Sequence, residues 1–120
     1  MRRGEVRWGN PAVPGSTRKR RPFLVVSDDS FNANERYPKV LVVHLTSVRR
    51  LRGPYDWEVE LPRGVAGLPH SSLVKCNEVY TLFKVQLGDL LGTLPRTYVQ
   101  HVDRALHMAL GLWHSEEPLR

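Results

Sequence analysis

The stretch KVLVVHLTS, from Lys39 to Ser47, is the most apolar segment of the chain and decides the fold prediction. Its β-branched residues predict a strand, and its nearly continuous apolar character predicts that both faces of that strand are covered. A second strand is predicted at residues 22–27, PFLVVS, with proline at the first position, where the missing N–H does least harm. If the two strands are antiparallel neighbours, the start of the strand at residues 22–27 lies beside the end of the strand at residues 39–47.

Further short strands are predicted on both sides of this pair. Alternating apolar and polar residues predict strands in GEVRW (residues 4–8) and YDWEVEL (residues 55–61). Apolar runs predict strands in SSLVKC (71–76) and VYTLFKV (79–85), and GDLLGTL (88–94) fits either a strand or a bend. Because no helix separates these runs, they favour an antiparallel and strongly curved sheet.

The end of the chain has a different pattern. Apolar residues recur at helical spacing between residues 95 and 112, which predicts one amphipathic helix. We find no linker, internal repeat or low-complexity block, so we expect one domain over residues 1–120, with 113–120 as a frayed tail. The predicted fold class is therefore α+β: a small antiparallel β-barrel with a C-terminal α-helix across one side or end.

The charge is positive and unevenly distributed. The net charge is +6, and residues 1–52 carry twelve Lys or Arg against four acids, whereas residues 53–120 carry six against eight. Arginine outnumbers lysine fourteen to four, and a guanidinium offers a planar fork of donors that fits a phosphate. This favours a polyanionic partner such as nucleic acid over the alternative of a merely solvated basic surface.

Several classes of protein are disfavoured by what the sequence lacks. Cys76 is the single cysteine, so no intrachain disulfide forms and a reducing cytoplasm is the expected location. The first residues are basic but no apolar run follows them, and no run reaches the roughly 20 residues of a membrane helix. The sequence contains neither a P-loop nor a metal-ligand spacing such as HExxH, so we expect no metal and no cofactor.

An anion site is predicted where the two central strands meet. Arg21 opens one strand, and Thr46 with Ser47 closes the other. A guanidinium, two hydroxyls and unpaired strand-end N–H groups would hold one phosphate. The alternative, which the residues alone leave open, is that Thr46 and Ser47 only end a strand while Arg21 points into water.

Three further residues are candidates on pattern alone. His44 shares a face with Thr46 in a regular strand and is a candidate for proton transfer, the alternative being a hydrogen-bonded core histidine. Trp57, with Tyr55, is a candidate for stacking on unpaired bases, the alternative again being a place in the core. Alternation in the same segment puts Glu58 on the face opposite Tyr55 and Trp57.

Five stretches, in order and in register, resemble the MazF/PemK family of toxin endoribonucleases. They are RGEVRW (3–8), RRPFLVVS (20–27) after a "GS" and a basic loop, VVHLTS (42–47), GLPHSSLVKCNEVYTL (67–82) and VDRALHMALGL (102–112). The resemblance implies an SH3-like barrel of the CcdB/PemK type that works as a homodimer. It also implies metal-independent, sequence-specific cleavage of single-stranded RNA, leaving a 2′,3′-cyclic phosphate and a 5′-hydroxyl. The implied partner is an antitoxin with an acidic disordered segment.

The resemblance also implies roles for individual residues. Arg21 and Thr46 match the family's catalytic positions. The positions that match substrate contacts, with the basic loop that would hold the RNA backbone, are Ser16, Arg18, Lys19, Arg20, Ser47, Lys75, Asn77 and Glu78.

The chain departs from the family where a proton acceptor is expected. Some members have an aspartate where this chain has Asn77, and an amide cannot act as a base. Glu78 is next in the chain but points to the opposite face in a regular strand. Family members often have proline at the position of His44. Proton transfer by His44 or by Glu78 therefore stays open at this point.

Two other functions remain as alternatives. One is a non-catalytic toxin that binds gyrase through the same fold, as CcdB-like proteins do, since Trp113 follows the predicted helix. The other is an RNA-binding barrel without catalysis, since the pair Asn77–Glu78 departs from the family pattern.

Overall fold

The seven predicted β segments fall in six strands, and the C-terminal helix is present, in a computed structural model of the chain, which describes residues 1–10, 20–48 and 53–112. Within these residues the strands are β1 Glu5–Gly9, β2 Arg21–Val25, β3 Lys39–Ser47, β4 Glu58–Leu61, β5 Ser72–Phe83 and β6 Leu87–Thr93. The helices are α1 Asp29–Asn32 and α2 Arg96–Ala109, with 3₁₀ turns at Val65–Gly67 and Lys84–Gln86.

The described strands form one antiparallel sheet in the order β4-β5-β3-β2-β1-β6. β3, the opening stretch of the sequence, has the predicted bounds and lies inside the sheet between β2 and β5. Its neighbouring residues Val42 and Val43 point to opposite faces, and both have no exposed surface. The prediction of a strand covered on both faces is confirmed.

Two apolar clusters cover the two faces of β2 and β3. On one face, Leu24, Val43 and Leu45 pack in a cluster that also contains Val102 and Ala105 of α2. On the other face lies a second cluster, made up of Phe23, Val25, Val40, Val42, Leu82 and Leu87. The helix therefore covers one face only. On the other face, the surface beyond the second cluster is not covered by the helix.

The sheet is curved but does not close. β4 and β6 are its two edges, and no pairing joins them among the residues that the structure describes. Leu61 of β4 nevertheless belongs to a core cluster against which Leu91 of β6 packs, because the sheet wraps around it. The α+β class with a six-stranded antiparallel sheet and a C-terminal helix is confirmed, whereas the closed barrel is not.

A bulge of three residues interrupts the pairing of β5 with β3. Val43 pairs with Val79, but the next residue, His44, pairs with Lys75, so three residues of β5 have no partner on β3. Cys76 in this bulge is buried and Asn77 is exposed. The two strands predicted at residues 71–76 and 79–85 are therefore one bent strand, since a bulge breaks the pattern without ending the pairing.

The predicted strand at residues 55–61 is shorter than expected, and the acidic residue Glu58 is buried. β4 begins only at Glu58, whose side chain is 0% exposed. Lys75 lies directly opposite in the register, and its Nζ donates to the Glu58 carboxylate. The backbone N–H of Tyr55 also donates to that carboxylate, at 3.0 Å. A buried carboxylate with a cation and a backbone donor is satisfied, which alternation alone does not reveal.

α2 is anchored at its wet side by the N-terminal segment. The carboxylate of Asp103 pairs with the guanidinium of Arg3 at 2.7 Å, and the His107 ring donates to the Asp103 carbonyl at 2.8 Å.

Among the described helices, none has the length and apolar character needed to span a membrane.

The 3₁₀ turn Val65–Gly67 packs against β6 with almost no space between the two backbones. Gly67 has a φ of 74°, and a Cβ atom built on it would overlap the carbonyl oxygen of Leu91. Only glycine satisfies both conditions. The turn leads directly into Leu68 and so sets the position of the loop that follows.

We predict that Gly67→Ala lowers the free energy of unfolding by roughly 3 kcal/mol or more, because it adds a backbone clash to left-handed strain. Gly64→Ala is the matched control. Gly64 has a φ of 91° but open space around its Cβ position, so its loss should be about 1–2 kcal/mol. Urea denaturation followed by circular dichroism measures both values, and equal losses would contradict the close approach of the turn to β6.

We predict that Lys75→Met destabilises the fold by about 3–5 kcal/mol, because it leaves the Glu58 carboxylate buried without its cation. The double variant Lys75→Met/Glu58→Gln should recover most of this loss, since a neutral amide needs no counterion. Chemical denaturation of the two variants and the wild type measures the difference. If the double variant is as unstable as the single one, the ion pair is not what holds β4 to β5.

Candidate active site

Arg21 and Thr46 meet where β2 begins and β3 ends. The register of β2 with β3 ends with Phe23 opposite His44, and Arg21 and Thr46, each two residues beyond this pair, line one cavity. Alternation gives all four residues the same face of the sheet. The face they share is the one that α2 does not cover, just beyond the cluster containing Phe23.

Arg21, Thr46 and Ser47 line a single cavity of about 470 Å³. The other residues of its wall come from β1, from the ends of the two central strands, from the loop after Gly67 and from the start of β5: Trp8, Pro22, Leu45, Leu68, Pro69, His70 and Ser72. Arg21 is exposed and Thr46 is half-buried, so solvent and ligands reach both. The strand pairing thus gathers one guanidinium and two hydroxyls around a space large enough for a phosphodiester.

Trp8 and Arg20 form a second group beside this cavity. The Arg20 guanidinium lies 5.3 Å from the centre of the Trp8 ring, and it also pairs loosely with Asp89, at 3.8 Å. Arg20 is the part of the predicted basic loop that the structure describes, whereas Ser16, Arg18 and Lys19 lie outside the described residues. Sequence patterns did not identify Trp8 or His70 as residues of the site. The signal for Trp8 was a large aromatic residue ending a strand just before a basic loop.

His44 links Arg21 to β5. Its Nε2 atom lies 3.4 Å from the Arg21 Nη1 atom, and its Nδ1 atom lies 3.3 Å from the Glu78 Oε1 atom. The Tyr80 hydroxyl donates to the same Glu78 oxygen at 3.3 Å. The imidazole also packs against the Phe23 ring, with 5.9 Å between ring centres. Regular alternation predicts that the Glu78 side chain points away from this site. The bulge in β5 turns it toward His44 instead.

The other predicted substrate contacts on β4 and β5 lie beside this chain of polar groups. Lys75 is opposite His44 in the register, but its ammonium contacts the buried Glu58. Asn77 is exposed in the bulge. Trp57 stacks on Tyr55, with ring centres 4.7 Å apart and planes at 20°, and its carbonyl accepts a hydrogen bond from the Cys76 N–H at 3.1 Å. The aromatic pair therefore adjoins the bulge.

Two kinds of chemistry receive no support from the described residues. Burial, with smaller contributions from Asp103 and Glu58, raises the pKa of the Cys76 thiol to about 12, so it stays protonated and is a poor nucleophile. Among the residues that the structure describes, no cluster of three His, Cys, Asp or Glu could hold a metal ion. What the site offers is charge stabilisation by Arg21 and the imidazole–carboxylate pair of His44 and Glu78.

Comparison with known proteins identifies the family. Residues 2–110 match the family model described as PemK-like, MazF-like toxin of type II toxin-antitoxin system. Endoribonuclease MazF6 of Mycobacterium tuberculosis is 34% identical over 112 residues, which cover 92% of this chain and 96% of that protein.

Solved structures agree with this result. An endoribonuclease in complex with its cognate antitoxin from a mycobacterial species has a TM-score of 0.77 and 28% identity, over 96% of this chain and 99% of the other. A MazE–MazF complex from Deinococcus radiodurans has a TM-score of 0.71 and 27% identity, over 92% and 95% of the two chains. The chain with Arg21 and Thr46 in one cavity belongs to the PemK-like, MazF-like family of toxins of type II toxin–antitoxin systems.

Proposed function

We propose that this chain is the toxin of a type II toxin–antitoxin system and acts as a sequence-specific endoribonuclease on single-stranded RNA. The observation that carries the proposal is the cavity shared by Arg21, Thr46 and Ser47 in a member of this family. The reaction is attack of a ribose 2′-hydroxyl on the adjacent phosphate. Its products are a 2′,3′-cyclic phosphate and a 5′-hydroxyl.

The reaction needs no metal because RNA carries its own nucleophile. The enzyme has to align the 2′-hydroxyl with phosphorus, stabilise the charge that develops on the phosphate oxygens, and assist proton transfer. Arg21 supplies a permanent positive charge with forked donors, and Thr46 supplies a hydroxyl beside it. In-line attack requires a nucleotide that rotates out of helical geometry, so a single strand is the expected substrate.

Groups around the cavity would hold the rest of the RNA. Arg20 stands over Trp8 next to Arg21, in a position to follow the phosphate backbone into the site. The stacked pair of Trp57 and Tyr55 offers an aromatic surface for an unpaired base beside the bulge. Ser47 on the cavity wall and Asn77 in the bulge would supply hydrogen bonds to sugar or base edges.

The proposal includes the partners that the family resemblance implies. Related toxins have been solved in complex with antitoxins, and the positive charge of this chain suits an acidic antitoxin segment that competes with RNA for the cavity. The homodimer, a cytoplasmic location and a single domain over residues 1–120 belong to the same proposal. So does the SH3-like barrel, which the curvature of the open sheet supports.

Replacement of Arg21 by alanine should lower the cleavage rate by roughly 10²–10³-fold, the usual effect of removing one preorganised charge-stabilising donor. Arg36→Ala removes the same charge near the start of β3, far from Thr46 at its end, and should cut RNA at the wild-type rate. The measurement is end mapping of a long single-stranded RNA with timed digestion. Equal activity of Arg21→Ala and wild type would rule out Arg21 as the group acting on the scissile phosphate.

Cleavage should persist in excess EDTA and should require a 2′-hydroxyl at the cut site. A DNA strand of the cleaved sequence should bind but stay intact, and a single ribonucleotide placed at the cut site should restore cleavage there. Gel separation of labelled strands measures this. RNA that is bound but not cut would support a non-catalytic RNA-binding fold instead, and inhibition of purified gyrase without RNA cleavage would support a CcdB-like toxin.

A further inference from the structure

His44 occupies a position in which its ring is held from both sides by charged groups of the candidate site. Its side chain is 15% exposed, and it lies on the same sheet face as Arg21 and Thr46. A core histidine would be buried and hydrogen-bonded to neighbours that have no part in the candidate site. This one has Phe23 against its ring, while its two nitrogens are directed at Arg21 and Glu78.

The two contacts of the ring determine where its proton resides. A guanidinium donates hydrogen bonds and never accepts them, so the His44 Nε2 atom facing Arg21 is the unprotonated, accepting nitrogen. The proton is then on Nδ1, which donates to the Glu78 carboxylate. The Nε2 lone pair of His44 thus faces the guanidinium that would bind the scissile phosphate.

We propose that His44 is the general base of the cleavage reaction, an inference that rests on the RNA cleavage proposed above. When a phosphodiester engages Arg21, the Nε2 lone pair is released from the guanidinium and accepts the proton of the 2′-hydroxyl. The 2′-oxygen forms a bond to phosphorus as the bond from phosphorus to the 5′-oxygen breaks. The leaving oxygen takes a proton from solvent water, and the imidazolium later returns its proton to solvent.

Glu78 acts as a positioning residue in this scheme. Its carboxylate accepts from the Nδ1–H, which holds the tautomer and stabilises the imidazolium that forms, as a carboxylate does behind the histidine of a hydrolytic triad. Tyr80 donates to the same carboxylate oxygen and keeps it in place. The bulge in β5 is what makes this possible, because it turns Glu78 toward the face on which His44 lies.

The other charged and titratable groups near the ring do not compete for this role. Lys75 is opposite His44 in the register, but its ammonium is committed to Glu58. Arg21 is always protonated and cannot accept a proton. Glu58 is buried against Lys75, with no exposed side-chain surface. Within the described part of the chain, His44 is the acceptor that directly adjoins Arg21.

The test is the pH dependence of single-turnover cleavage by the wild type and by His44→Gln. The wild-type rate should fall on the acidic side, because a protonated base cannot accept the proton of the 2′-hydroxyl. His44→Gln should lose about 10²–10⁴-fold and show no acidic limb, the effect expected for removal of a general base. A wild-type melting temperature for the variant excludes loss of folding as the cause. If the variant is unstable, added imidazole should restore cleavage by His44→Ala at the same site.

A substrate with sulfur in place of the leaving 5′-oxygen distinguishes a base from an acid, because a thiolate leaves without a proton. The defect of His44→Gln should persist on this substrate. Recovery of the full rate would overturn the assignment of His44 as base.

Glu78→Gln keeps an oxygen that accepts from Nδ1–H, whereas Glu78→Leu does not. Glu78→Leu should lower kcat by roughly 10-fold or more with little change in KM, and Glu78→Gln should recover part of that loss. Loss of binding alone in both variants would overturn the positioning role.

The outcomes separate this inference from the proposed function. If the wild type leaves every RNA intact, the proposed function fails and the inference fails with it. If the wild type cuts RNA in an Arg21-dependent way while His44→Gln keeps the wild-type rate and pH profile, only the inference is overturned.

Discussion

The antiparallel pairing of β2 with β3 is the constraint on which the rest of the structure depends. Its register puts Phe23 opposite His44, and Arg21 and Thr46, each two residues beyond this pair, line one cavity. A shift by one residue would turn every side chain of one strand to the other face and separate the guanidinium from the hydroxyl. The register is held by two apolar clusters, one on each face, so core packing helps to fix the position of Arg21.

The bulge in β5 is a second structural feature that shapes the same site. In a regular strand paired with β3, the side chains of Asn77 and Glu78 would point to opposite faces of the sheet. Three unpaired residues instead allow Cys76 to enter the core while Glu78 contacts His44. Lys75, just before the bulge, pins the edge strand through the buried Glu58. One irregularity therefore supplies a core residue and a carboxylate at the functional face, which is a common use of bulges near active sites.

Local patterns predicted the elements well where burial has a simple period. β3 and α2 were foreseen because a continuous apolar run and a 3.6-residue repeat are unambiguous. The burial of Glu58 could not be predicted, since alternation cannot reveal that Lys75 lies opposite it. The strand at residues 71–85 was divided in two because a bulge looks like a strand end in sequence. Closure of the sheet into a barrel depends on pairing between distant edges, and no local pattern reports on that.

The sequence by itself determined the α+β class, the strand pair that carries Arg21, Thr46 and Ser47, and, through five motifs in register, the toxin family. These follow from side-chain type and spacing, which are local or cumulative properties of the chain. Only the tertiary structure decided that Glu78 faces His44, that Lys75 is committed to Glu58 and that Trp8 joins the cavity wall. Such contacts arise between strands far apart in sequence, where the register and one bulge set the direction of each side chain.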